Sequence, residues 1–183
     1  MAYYNKEGIF DTFFSHRNSL IIQFKNGDIS KREFLEGNFD FVQDMNIKPF
    51  DIIDSYEKGM YNYQYYNVLA KYYTMLAKDN KREGRHDKYY TYYLNQGNDY
   101  YNEKDKATLQ LLRFLKFKNV EAYFIRVESR FLRNKLYEIV LKDYQYAIFH
   151  SKSRCLLDIL KKENVFVPGM KTSLIDEYIN EKY

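Results

Sequence analysis

The pentapeptide His150-Ser151-Lys152-Ser153-Arg154 gathers two hydroxyls and two cations where an extended segment gives way to a helical one. Free backbone N–H groups point at such a junction, and with Ser151, Lys152, Ser153 and Arg154 they could hold a phosphate or a carboxylate. The plainer reading makes Ser153 a helix N-cap with solvated cations beside it. A second basic group, Arg126, Arg130, Arg133 and Lys135, has Phe131 and Leu132 among its cations and suits a nucleic-acid backbone or an acidic protein. Acid–base chemistry would need Asp143, Glu138 or His150 brought to the 150–154 turn.

Other catalytic patterns are thin. His16, His86 and His150 lie in unrelated segments without metal-ligand spacing. Cys155 stands beside Leu156 in an apolar stripe, so a packed thiol is expected there. Residues 79–84 outline a calcium loop, yet Lys81 takes a ligand position and Tyr90 stands where a bidentate Glu belongs. The carboxylate pairs Glu33/Glu36 and Asp51/Asp54 lack the Glu-x-x-His companions of a di-metal bundle. No Walker loop or dinucleotide fingerprint occurs. No catalytic residue, metal or cofactor is expected.

The strongest signal is aromatic. Between Tyr56 and Tyr101 stand thirteen tyrosines, while all fourteen phenylalanines lie outside that window. Using Tyr alone implies buried ring bodies whose hydroxyls meet water or a polar partner. Tyr61, Tyr65, Tyr72, Tyr90, Tyr93 and Tyr101 form the candidate interaction face, for a protein partner or a second copy. Interleaved with Lys71, Lys78, Arg82, Arg85 and Lys88, such rings could also stack unpaired bases. The structural alternative places them at core margins.

Charge is uneven along the chain. Residues 1–112 carry 15 Lys/Arg against 16 Asp/Glu, and residues 113–164 carry 12 against 6. A basic C-terminal half admits an acidic partner, though surplus charge also simply solubilises a surface. One cysteine excludes an internal disulfide framework, no run of eighteen apolar residues exists, and the N-terminus lacks a signal pattern. A cytoplasmic protein without membrane association is expected.

Positioning these groups requires helices first. Phe10, Phe13, Phe14, Ile21 and Phe24 predict a helix over 7–25, stopped at Asn26-Gly27-Asp28. Ser30-Lys31-Arg32-Glu33 has capping-box form and opens a second helix to about Met45. A third is predicted from Phe50 to Lys78 and a fourth over 89–118, with a break near 102–105 as an equal alternative. Alternation at Tyr123, Ile125 and Val127, and again at Tyr137, Ile139 and Leu141, predicts strands, with a third at 146–150. Ser153 caps a short helix, Pro168-Gly169 breaks the chain, and a last helix is expected over 173–180.

Gly97-Asn98-Asp99-Tyr100-Tyr101 resembles the first-helix core of a tetratricopeptide repeat over about a dozen residues. Lys104 and Lys106 then depart from that pattern, and no second copy follows. The resemblance implies only a helix pair packed through Gly97.

The predicted fold is α+β: an antiparallel helical assembly over 1–118, then a two- or three-stranded antiparallel sheet with two short helices over 119–183, packed as one unit. An all-helical bundle is the alternative. The predicted function is a non-enzymatic protein-interaction module using the tyrosine face. Nucleic-acid binding through residues 113–164 is the alternative, and an enzyme acting on a phosphorylated small molecule comes third.

Overall fold

The computed structural model describes residues 8–82, 88–126, 136–144 and 147–172. They form two compact units, 1–107 and 108–183. The first holds α1 (Gly8–Asn26), α2 (Lys31–Met45), α3 (Tyr56–Arg82) and most of α4 (Lys88–Phe114). The second holds a four-stranded mixed sheet and α5 (Arg154–Lys162). The α+β class is as predicted, and the all-helical alternative falls.

The α1–α2 hairpin follows its sequence signals closely. Gly27 turns left-handed at φ 79°, Asp28 N–H donates to Gln23 O at 2.9 Å, and Gly27 N–H donates to Phe24 O at 3.1 Å. These bonds satisfy carbonyls that α1 leaves open. The capping box is formed: Glu33 N–H donates to Ser30 Oγ at 3.2 Å, and Ser30 N–H donates to Glu33 Oε2 at 2.7 Å.

α3 begins six residues later than predicted. Buried Asn62 takes both backbone groups of Phe50, accepting from its N–H at 2.8 Å and donating to its C=O at 2.7 Å. Those groups are withdrawn from any helical ladder. Helix therefore starts after Ser55, whose Oγ accepts from Lys58 N–H at 3.3 Å.

Phe13, Val42, Tyr61 and Val68 form the centre of the first core, with Phe10, Phe14, Phe39, Phe41 and Phe50 against them. α3 and α4 approach closely at Gly97. A Cβ there would lie 2.7 Å from Thr74 Oγ1, 3.3 Å from Thr74 N and 3.4 Å from Ala70 O. The helix pair packed through Gly97 is present. α4 runs 27 residues without the alternative break.

In the second unit β1 (Val120–Arg126) and β2 (Tyr137–Leu141) pair antiparallel, as do β2 and β3 (Ala147–Ser151). Sequence reading missed β4 (Phe166–Thr172), which pairs parallel to β1 and gives the order β3-β2-β1-β4. Pro168-Gly169 is not a chain break. The register slips from Tyr123↔Val167 to Phe124↔Met170, so these two residues bulge out of an edge strand. An edge bulge tolerates the missing proline donor, and Gly169 takes φ 109°. The helix predicted over 173–180 lies outside the described residues.

Candidate functional site

Doublets seven residues apart make the tyrosine surface. Tyr65-Tyr66 and Tyr72-Tyr73 sit two turns apart on α3, and Tyr93 and Tyr100 two turns apart on α4. Their rings touch in sequence: Tyr65–Tyr66 at 5.4 Å, Tyr66–Tyr100 at 6.5 Å, Tyr100–Tyr73 at 5.5 Å, Tyr73–Tyr93 at 6.2 Å and Tyr93–Tyr92 at 5.3 Å between centroids. Tyr72 joins through Tyr73 and stacks on Phe39 at 3.8 Å. Among the described residues none of these seven hydroxyls has a hydrogen-bond partner, and none is sealed from solvent. Most of the rings are half-buried, and Tyr92 is 54% exposed.

Desolvation holds the Tyr65, Tyr66, Tyr72, Tyr73 and Tyr100 phenols above their ordinary value, and neighbouring charges add to it. Those charges are instructive. Tyr66 feels Glu103 and Asp51, Tyr72 feels Asp40 and Glu36, and Tyr100 feels Asp99. Asp40, Asp51 and Asp99 are themselves exposed. The phenol surface has an acidic rim.

The six sequence-selected tyrosines divide. Tyr65, Tyr72 and Tyr93 belong to this surface. Tyr61 is 0% exposed and donates to Ile47 O at 2.8 Å, so it is a core side chain. Tyr101 bonds Thr74 in a desolvated position, with Lys104 Nζ 5.2 Å from its ring. Tyr90 has Lys81 Nζ 5.9 Å from its ring centroid. Tyr66, Tyr73, Tyr92 and Tyr100 were not selected. The second member of a Tyr-Tyr doublet turns about 100° around a helix, and that doublet spacing was the available signal.

Lys71 also departs from expectation. Rather than holding a phosphate beside exposed rings, its ammonium is enclosed. It lines a cleft with Arg17, Phe34, Leu35, Asn38, Asn67 and Val68. Arg17 Nη1 donates to Asn38 Oδ1 at 3.0 Å, and Asn38 Nδ2 donates to Phe34 O at 2.7 Å. Desolvation, with Arg17, Lys104 and Lys31 adding repulsion, brings Lys71 down to about 7.

In the second unit the 150–154 turn is built as a cap. Ser153 Oγ accepts from Leu156 N–H at 3.2 Å, and Ser153 N–H donates to Ser151 Oγ at 3.0 Å. Ser151 is buried at 3% exposure, whereas Lys152 and Arg154 are exposed. Desolvation nevertheless lowers the Lys152 ammonium. Arg130, Arg133 and Lys135 lie outside the described residues. Cys155 is exposed rather than packed, because Leu156 and Leu160 form the buried edge of α5. The cross-strand partners Glu138 and His150 meet at 3.2 Å, with Glu138 1% exposed in the central strand.

Among the described residues no group of three or more His, Cys, Asp or Glu could hold a metal ion. No helix among them is long and apolar enough to cross a membrane. Residues 3–183 match a family of unknown function, DUF6648. No curated protein and no solved structure matches the chain.

Proposed function

We propose that the chain, which belongs to the family of unknown function DUF6648, is a non-enzymatic interaction protein that docks a partner on the tyrosine surface of α3 and α4. The observation that carries this reading is the run of seven contacting phenol rings whose hydroxyls find no partner among the described residues. Ring faces supply contact area at low entropy cost, and open hydroxyls supply hydrogen bonds to whatever covers them. The acidic rim selects the partner's charge. Arginine or lysine side chains can lie over ring faces while their heads meet Asp40, Asp51 and Asp99.

A synthetic arginine–glycine peptide tests the surface by calorimetry. Tyr66→Leu with Tyr100→Leu keeps apolar volume but removes two ring faces and two hydroxyls. The expected outcome is a loss of affinity of about tenfold or more, equivalent to about 1.4 kcal/mol, with little change in melting temperature. Asn at positions 40, 51 and 99 should weaken binding further. Equal affinity in the variants removes the reading.

A second reading, nucleic-acid binding, draws support from exposed Arg113, Lys116, Lys118, Lys152, Arg154 and Lys162 in the basic half. A single-stranded oligonucleotide titrated at several salt concentrations separates the two. Affinity that falls steeply with salt, and is lost in Lys152→Ala with Arg154→Ala, favours nucleic acid.

A further inference from the structure

We infer, building on the docking role proposed above, that the occupant of the tyrosine surface is a proline-rich segment in polyproline II conformation, with prolines three residues apart and arginine or lysine at its ends.

Hydroxyl chemistry singles out this occupant. Mid-helix carbonyls and N–H groups of α3 and α4 are spent on i to i−4 bonds within each 27-residue helix, so a ligand meets side chains alone. Tyrosines that face inward have their hydroxyls answered: Tyr61 donates to Ile47 O at 2.8 Å, and Tyr101 bonds Thr74. The hydroxyls of Tyr66, Tyr73, Tyr93 and Tyr100 have no partner among the described residues. They offer O–H donors to backbone carbonyls lying across them. A partner helix has already spent its carbonyls on itself. A polyproline II segment has no internal hydrogen bonds, and its prolines bring no N–H that this surface would leave unsatisfied.

Spacing agrees with the chemistry. Tyr66 and Tyr73, like Tyr93 and Tyr100, stand seven residues apart, about 10.5 Å at 1.5 Å per residue. One turn of polyproline II is three residues of about 3.1 Å each, or about 9.3 Å. Prolines at i and i+3 therefore meet successive tyrosine rows. The Tyr66–Tyr100, Tyr100–Tyr73 and Tyr73–Tyr93 planes differ by 28°, 21° and 31°, so successive rings present near-parallel faces to flat pyrrolidine rings. Aromatic surfaces recognise such segments because the ligand is ordered beforehand.

Charge sets the ends of the ligand. Asp40, Asp51 and Asp99 are exposed and carry no ion pair among the described residues, whereas Glu36 and Glu103 are paired with Arg32 and Lys106. Asp40 acts on Tyr72, Asp51 on Tyr66 and Asp99 on Tyr100, so open carboxylates flank the rows and call for cations beside the prolines. A second copy is the wrong occupant on two counts. It brings the same acidic rim, and its prolines, Pro49 and Pro168, stand far apart in sequence.

Fluorescence anisotropy with the full chain compares three labelled peptides: one with arginine ends and prolines three apart, its counterpart with alanine for proline, and the arginine–glycine peptide. The proline peptide should bind about tenfold or more tightly than either. Tyr66→Phe with Tyr100→Phe keeps both rings and removes only hydroxyls. It should weaken the proline peptide about tenfold and the other two little. Tyr73→Phe with Tyr93→Phe takes its place if that variant does not fold. Equal or tighter binding of the alanine or arginine–glycine peptide, still lost in Tyr66→Leu with Tyr100→Leu, overturns the inference and leaves the docking surface standing. Unchanged affinity of the proline peptide in the Phe variants does the same. Dimerisation in sedimentation that disappears in the Leu variant makes a second copy the occupant and also overturns it. Failure of every peptide to bind, or binding indifferent to the Leu variant, removes docking surface and inference together.

Discussion

Lys71 shows how far burial can move a single side chain from its sequence-based role. On paper it is one cation among several beside tyrosines; in the fold it is desolvated next to Arg17. The consequence for stability has a definite sign. The unfolded chain holds the Lys71 proton up to its ordinary value of 10.5, and the folded chain releases it near 7. Between those values the unfolded state binds more protons, so stability rises with pH. The raised phenols act in the opposite direction only near and above 10. Chemical denaturation should therefore show stability increasing from pH 7 to 9, and Lys71→Met should flatten that rise. His16, lowered by desolvation, adds a similar rise below about 6.5. The site was partly legible beforehand. Tyr65, Tyr72 and Tyr93 followed from a helical stripe, but Tyr66, Tyr73, Tyr92 and Tyr100 depend on which flank of α3 meets α4. Helical period gives a face; it does not say which neighbour covers it.

At the scale of elements, signals carried by consecutive residues were readable and those carried by distant ones were not. Gly27, the Ser30–Glu33 box and Ser153 all act within one turn, and each ends or starts a helix where expected. The start of α3 escaped because it is set by Asn62 holding Phe50, twelve residues back. β4 escaped because Pro168-Gly169 looks like a stop unless the strand lies at an edge. Gly97 gives the sharpest element-scale prediction. Its missing Cβ lets Thr74 N and Ala70 O come close, and backbone cannot move aside as a flexible side chain can. Gly97→Ala should cost about 1–3 kcal/mol by overpacking, despite alanine's better helix propensity of about 1 kcal/mol. Denaturant titration checks the sign. A stabilised variant would mean the helices part without penalty.

For the whole molecule, the contrast between the two units matters most. Helices α1 to α3 assemble from neighbours in sequence, whereas the sheet joins residues far apart: Ala122 N–H donates to Val165 O at 2.9 Å, and Ala122 pairs with Phe166. Ending the chain after Val165 should strip hydrogen-exchange protection from β1 amides that face β4 and leave protection in α2 and α3. Uniform loss would mean that both units open together. The parallel placement of β4 also sets an order of events at the ribosome. While β4 is still in the exit tunnel, β1 stands as an open border with unpaired peptide groups, a template for strands of other nascent chains. Folding of this protein should therefore be most vulnerable to aggregation in the interval between the emergence of β1 and that of β4, and holding chaperones should matter most then.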